Sequence, residues 1–150
     1  MGQSLVNIYT HIIFSTKNRE PLINSAIEGE LHRYLVGIVT NLNCKAIKVG
    51  GHVDHIHALC MLSKQLPITK LVQELKMDSS RWVKGKGEQY NNLYWQDGYG
   101  AFSVGSNVVD TIASYIENQH IHHRKITFQE EYRAFLIENR VEYNESYVWT

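Results

Sequence analysis

A chain of 150 residues with 43% hydrophobic and 20% charged side chains and only two prolines has the balance of a single folded domain, residues 1–150, which excludes a disordered or fibrous protein. No run approaches the roughly 18 to 20 apolar residues of a membrane span, and MGQSLVNIYTHIIF has no basic stretch ahead of its apolar part, so a cytoplasmic protein without a membrane partner is expected. The formal net charge is zero, which gives nucleic-acid binding no support at the level of the whole chain. The distribution is more informative: five glutamates against two arginines lie in residues 126–150, which leaves residues 1–125 with 13 basic and 10 acidic groups and a mild net charge of +3. Cys44 and Cys60 sit in apolar, strand-like segments and are expected to be buried and reduced.

In chain order, VNIYTHIIFS from Val6 to Ser15 is rich in β-branched and aromatic residues and predicts a strand. Ser25 reads as an N-cap for an amphipathic helix in which Ile27, Leu31, Leu35, Ile38 and Leu42 recur at three- and four-residue spacing. KAIKVGG and HIHALCML follow as two strands separated by a short turn, a hairpin. Pro67 opens a second helix with Ile68, Leu71, Val72, Leu75 and Trp82 on its apolar side and Gly85 near its end. AFSV is a fourth strand after an irregular aromatic loop. A third helix, capped by Ser106 or Asn107, carries Val108, Ile112, Tyr115, Ile116 and Gln119 on one face; a fourth runs from a Thr127–Glu130 capping box to about Asn139, and an extended tail ends the chain. The order predicts an α+β, ferredoxin-like (split βαβ) antiparallel sheet backed by helices, with additional C-terminal helices and one sheet face left free.

His55 and His57 are two apart in a predicted strand, so both imidazoles point to the same face and can share one cation, with positions left for a third protein ligand and for substrate. Taken alone the pair is better explained by ordinary core or surface histidines. A second His-Ile-His, His120 to His122, falls on a helix, where i and i+2 diverge, so that copy is not expected to chelate. His52 and Asp54 are candidates for outer support of a metal site, although strand alternation sends Asp54 to the opposite face if the strand already runs there. Tyr115 and Gln119, four apart, share a helix face; a tyrosine hydroxyl with a pKa near 10 is a nucleophile only toward an activated substrate or beside a base, and the glutamine oxygen suits a hard cation such as Mg2+. These residues also admit a non-catalytic nucleic-acid-binding module that stacks bases on a free sheet face, or a zinc hydrolase using His55, His57 and His52.

YTHIIFSTKNREPLI, GGHVDHIHAL, ELKMDSSRWVK, YWQDGYGAFSVG and SYIENQ, in that order and over nearly the whole chain, resemble the small single-tyrosine HUH transposases of bacterial and archaeal insertion sequences, a family that includes REP-associated tyrosine transposases. The resemblance implies a divalent metal, Mg2+ or Mn2+, on His55, His57 and Gln119, and Tyr115 as the nucleophile. It also implies the ferredoxin-like fold, a homodimer, a hairpin-bearing single-stranded DNA substrate cut and rejoined through a 5′-phosphotyrosine intermediate, and no small-molecule cofactor. Lys17, Arg19, Lys76, Arg81 and Lys84 are the expected phosphate contacts, with hydrogen bonds from Ser79 and Ser80.

Overall fold

The computed structural model describes residues 2–150. Its elements are β1 (Tyr9–Ser15), α1 (Glu28–Asn41), β2 (Lys45–His52), β3 (His55–Met61), α2 (Ile68–Lys84), β4 (Gly100–Val104), α3 (Val109–Glu117), α4 (Gln119–His122) and α5 (Phe128–Glu138). The four strands are antiparallel in the order β2-β3-β1-β4, with β1 and β3 central, which is the ferredoxin-like arrangement read from the sequence.

Strand alternation divides the molecule into two apolar layers. Ile12 and Phe14 of β1 and Ile56, Ala58 and Cys60 of β3 face Leu31 and Leu35 of α1 and Leu71 and Leu75 of α2 in the larger core. Each of those four leucines is fully buried, and each such burial stabilises the fold by roughly 1.5–3 kcal/mol. On the opposite face Ile13 and Phe102 pack against Phe128, Tyr132 and Leu136 of α5. That second layer corrects the expectation of a free sheet face. The spacing of Phe128, Tyr132 and Leu136 gives α5 an apolar stripe whose burial draws it onto the sheet.

Three local features also differ from the sequence reading. The Asn24 side chain accepts from the backbone N–H groups of Ala26 and Ile27 at 3.0 and 3.2 Å and holds the turn ahead of the first helix, which starts at Glu28 rather than from a Ser25 cap. The helix expected to run through Gln119 breaks at Asn118, which has φ −95° and ψ 20°, so that α3 ends at Glu117 and α4 begins at Gln119. The C-terminal segment is not an extended tail: it turns back, with Val148 and Trp149 packed on the α5 layer and Arg133 paired with Glu145. Cys44 and Cys60 are buried free thiols, as expected, and burial pushes the Cys60 thiol up to about 12. Among the described residues no helix is long and apolar enough to cross a membrane.

Candidate active site

The β2–β3 hairpin turns through Val53 and Asp54 alone. Gly51 permits this close approach, since a Cβ there would stand 2.1 Å from the His55 carbonyl oxygen. The turn is held to β1 through the Asp54 carbonyl, which accepts from the Thr16 N–H at 2.8 Å. In this register Ser15 lies opposite His55 and Ile13 opposite His57, so both histidines point from the centre of the sheet into the layer under α3, α4 and α5.

Each imidazole is oriented through its Nδ1. His55 Nδ1 is 2.7 Å from Asp54 Oδ1, and His57 Nδ1 is 2.7 Å from His11 Nε2. Because β3 begins only at His55, strand alternation does not reach Asp54, and the tight turn sets its carboxylate beside the His55 ring. Both Nε2 atoms are thereby left to converge on residues from the C-terminal helices, the arrangement in which outer partners select the tautomer of metal-binding histidines. His55 Nε2 is 2.8 Å from Gln119 Oε1 and His57 Nε2 is 2.9 Å from Glu131 Oε1. Both histidines are wholly buried, and Gln119 and Glu131 are nearly so.

The break at Asn118 does not separate Tyr115 from Gln119, because both reach the same carboxylate. The Gln119 amide donates to Glu131 Oε2 at 2.9 Å, and the Tyr115 hydroxyl donates to that same oxygen. The Tyr115 hydroxyl oxygen is also 2.9 Å from His122 Nε2. The ligand atoms of His55, His57 and Glu131 lie close enough together to share one cation, as do those of His122, His123 and Glu131. Tyr115 and His122 are the half-buried members of this constellation, so the site opens to solvent on their side.

The electrostatics centre on Glu131. Burial opposes its charge, but hydrogen bonds from His123, His55 and His57 hold its carboxyl far below the usual carboxylate range. Burial likewise opposes a charge on His55, yet the hydrogen bonds to Asp54 and Glu131 prevail and raise it to about 9. Burial lowers His57 to about 4 and His11 to about 3, so both are neutral at physiological pH; the single ring proton of His57 then serves either Glu131 from Nε2 or His11 from Nδ1, and the second tautomer leaves Nε2 free for a cation. Tyr115 is pushed well above the ordinary phenol range, first by burial and then by the adjacent Glu131 carboxylate.

The other histidines divide as the helical period requires. His120 turns away from the site, to His52 Nδ1 at 2.6 Å and Glu28 at 2.5 Å, whereas His122 turns inward to Tyr115. His52, paired with His120, is not placed to complete a three-histidine zinc site.

The residues expected to meet DNA fall into three sets. Ser79 is fully buried, its hydroxyl donating to the Leu75 carbonyl and accepting from the Trp95 indole at 3.0 Å, so it is unavailable to a ligand. Lys76 is spent on the β4 approach loop, donating to the carbonyls of Gln96, Asp97 and Gly98 at 2.7, 2.9 and 3.1 Å, with burial lowering it to about 8. Lys17 and Arg81 are exposed and Ser80 and Lys84 half-buried, Lys84 lying over the Tyr94 ring. Ser80, Arg81 and Lys84 belong to α2, across the sheet from the histidine pair. Arg19 donates to the Trp149 carbonyl at 2.9 Å and also lines a groove of about 510 Å3 that runs past His123 to Arg124 and Lys125.

Sequence reasoning passed over Glu131, His11 and the groove arginine and lysine. Glu131 had a legible signal: three residues after Phe128, it is an acidic residue at the edge of the apolar stripe of α5. His11, on a strand that pairs with the histidine strand, gave no such sign.

A family model of IS200-like transposases matches residues 4–119. No curated protein matches the chain. Among solved structures, a protein of Deinococcus radiodurans R1 described as a transposase is similar at 24% identity, over 79% of this chain and 96% of its own, with a TM-score of 0.63. A REP-associated tyrosine transposase bound to a REP hairpin is similar at 11% identity, over 82% of this chain and 73% of its own, with a TM-score of 0.60. At these identities the two structures speak for the fold, whereas the family model spans most of the chain, including the histidine pair, Tyr115 and Gln119. The chain therefore belongs to the IS200-like transposase family.

Proposed function

We propose that this transposase cuts and rejoins hairpin-bearing single-stranded DNA in the cytoplasm through a covalent 5′-phosphotyrosine link on Tyr115, with Mg2+ or Mn2+ held by His55, His57 and Gln119. The observation that carries this reading is the convergence, within one chain, of the Tyr115 hydroxyl, the Gln119 amide and both histidine Nε2 atoms on a single buried point. The donor set fits such an ion: two neutral-capable imidazoles with their Nδ1 atoms already engaged, and an amide oxygen 2.8 Å from one of them. When bound, the ion supplies Lewis-acid polarisation of the scissile phosphate.

The chain's own residues do the remainder. The Tyr115 oxygen attacks phosphorus, the bond to the 3′ oxygen breaks, and the downstream strand stays on the tyrosine through its 5′ phosphate while a 3′ hydroxyl leaves. Glu131 Oε2 and His122 Nε2 both touch the tyrosine oxygen and are placed to take its proton. Attack on that link by a 3′ hydroxyl reverses the step, so no nucleotide cofactor is required. Arg19 with Arg124 and Lys125 would guide the strand being cut along the adjoining groove, while Lys17 and, across the sheet, Ser80, Arg81 and Lys84 would hold the hairpin away from the cut. Ser79 and Lys76 are left out of this surface because their polar groups are already committed. The chain acts as a homodimer in this reading, supported by the open edge strand β4 and by exposed Leu5, Val6 and Ile8 ahead of β1.

The test uses the protein and its Tyr115→Phe variant with 5′- and 3′-labelled single-stranded hairpins from its gene's own flanks, in Mn2+ or EDTA, resolved on a denaturing gel. A metal-dependent adduct carrying the downstream fragment, absent from the variant, is the expected result. An adduct that survives in Tyr115→Phe would remove Tyr115 from its role. The alternative of a non-catalytic base-stacking module loses its platform, because α5 covers the sheet face it requires.

A further inference from the structure

We infer that Glu131, a residue of α5 outside the family-matched segment, is a fourth protein ligand of the metal and fixes the distance between that metal and the nucleophile. The inference rests on the metal reading proposed above. The matched residues end at Gln119, and Glu131 lies twelve positions later. Its carboxylate is nevertheless at the centre of the constellation, 2% exposed and in contact with both histidines, the glutamine and the tyrosine.

Three observations are consistent with a ligand role for Glu131 beyond that of a buried ion pair. The first is spacing. Octahedral coordination of Mg2+ at about 2.1 Å puts neighbouring ligand atoms roughly 3 Å apart. Here His57 Nε2 to Glu131 Oε1 is 2.9 Å, His55 Nε2 to Glu131 Oε1 is 3.4 Å, and His55 Nε2 to Gln119 Oε1 is 2.8 Å. The second is charge. Two imidazoles and an amide bring no negative charge to a hard divalent cation, which is ordinarily bound through at least one carboxylate; Glu131 is the residue that supplies it. A buried carboxylate in turn needs donors or a cation beside it, a place the histidines fill in the metal-free protein and the ion would fill when bound. The third is division of labour between the two oxygens. Oε1 faces the histidine pair, while Oε2 faces the Tyr115 hydroxyl and the Gln119 amide. One rigid carboxylate thus spans from the metal seat to the nucleophile. Four protein ligands still leave two octahedral positions, enough for a phosphate oxygen and a water.

The experiment is Mn2+ binding to the DNA-free protein, followed by titration calorimetry and by the loss of the free-ion EPR signal, for wild type, Glu131→Gln, Glu131→Ala and His57→Ala. Glu131→Gln retains an amide that can hydrogen-bond Tyr115, so it serves if the alanine variant fails to fold; thermal melts in EDTA establish which variants are folded. Wild type is expected to take up one Mn2+, His57→Ala to lose it, and folded Glu131 variants to bind at least tenfold more weakly. Equal or tighter Mn2+ binding by Glu131→Gln overturns the proposal and makes Glu131 a group that merely fills the metal seat. A wild type that binds no Mn2+ overturns the metal reading itself, which distinguishes the two failures.

Discussion

Gly50 of β2 lies directly beneath Ile116 of α3: a Cβ on Gly50 would stand 2.7 Å from Ile116 Cγ2 and 2.9 Å from the Ile116 carbonyl oxygen. Gly50 is also the register partner of His57. The bare backbone at this position therefore sets how closely the helix carrying Tyr115 approaches the strand carrying the histidines. A methyl group there must push back the helix backbone, which no side-chain rotation relieves. Gly50→Ala is expected to lower the rate of covalent adduct formation at least tenfold, through displacement of Tyr115, while Mn2+ affinity falls much less than in His57→Ala. Single-turnover gel kinetics beside metal titration would show it; an unchanged cleavage rate would mean that the helix distance is not limiting.

The Asp54 carboxylate touches His55 only through Nδ1, and the bonds that fasten the turn to β1 use the Asp54 backbone carbonyl. Asp54→Ala should thus leave the fold intact and weaken Mn2+ binding about 10- to 100-fold, the usual effect of losing an outer hydrogen-bond partner of a metal-bound histidine. Calorimetry with Mn2+ checks it, and circular dichroism controls for folding.

Ser79 and Arg81 are neighbours in sequence with opposite expected phenotypes. Removing the Ser79 hydroxyl strands a buried Trp95 indole N–H, so Ser79→Ala should cost about 1–3 kcal/mol of stability in urea unfolding and leave DNA affinity unchanged. Arg81 is exposed, its nearest carboxylate oxygen 4.0 Å away on Asp78. Arg81→Ala should leave stability within about 0.5 kcal/mol of wild type and weaken hairpin binding.

The Arg124/Lys125 double alanine variant tests the groove beside His123. If both side chains contact phosphate, single-stranded DNA affinity should drop for all sequences alike, and the slope of log affinity against log salt should become shallower by about 1.4, at roughly 0.7 per single-strand contact. Fluorescence anisotropy from low to moderate salt measures both. A sequence-dependent loss with an unchanged slope would point to base contacts instead.

Most of the scaffold could be read without coordinates because the signals were periodic. Alternation in VNIYTHIIFS and HIHALCML, and the three- and four-residue recurrence of Leu31, Leu35 and Ile38 and of Leu71, Val72 and Leu75, are local consequences of strand and helix geometry. The same alternation put His55 and His57 on one face, and the helical period set His120 and His122 apart. What escaped was decided by contacts distant in the chain. Ser79 resembled a surface hydroxyl in ELKMDSSRWVK until Trp95 closed over it, and Lys76 resembled a phosphate contact until the carbonyls of Gln96 to Gly98 claimed it.

The sequence by itself determined the order of elements, the sheet topology that order implies, and the residue types able to hold a cation and attack a phosphate, because these follow from periodicities within a few residues. Only the tertiary structure decided that α5 covers the second sheet face and that Glu131 joins buried His55, His57 and Gln119 to half-buried Tyr115 in one cluster. The reason is physical. A carboxylate in an apolar stripe is tolerated only where folding brings it donors, and those donors lie up to 76 positions away, at His55. No local pattern encodes that distance; the packing of α5 onto the sheet creates it.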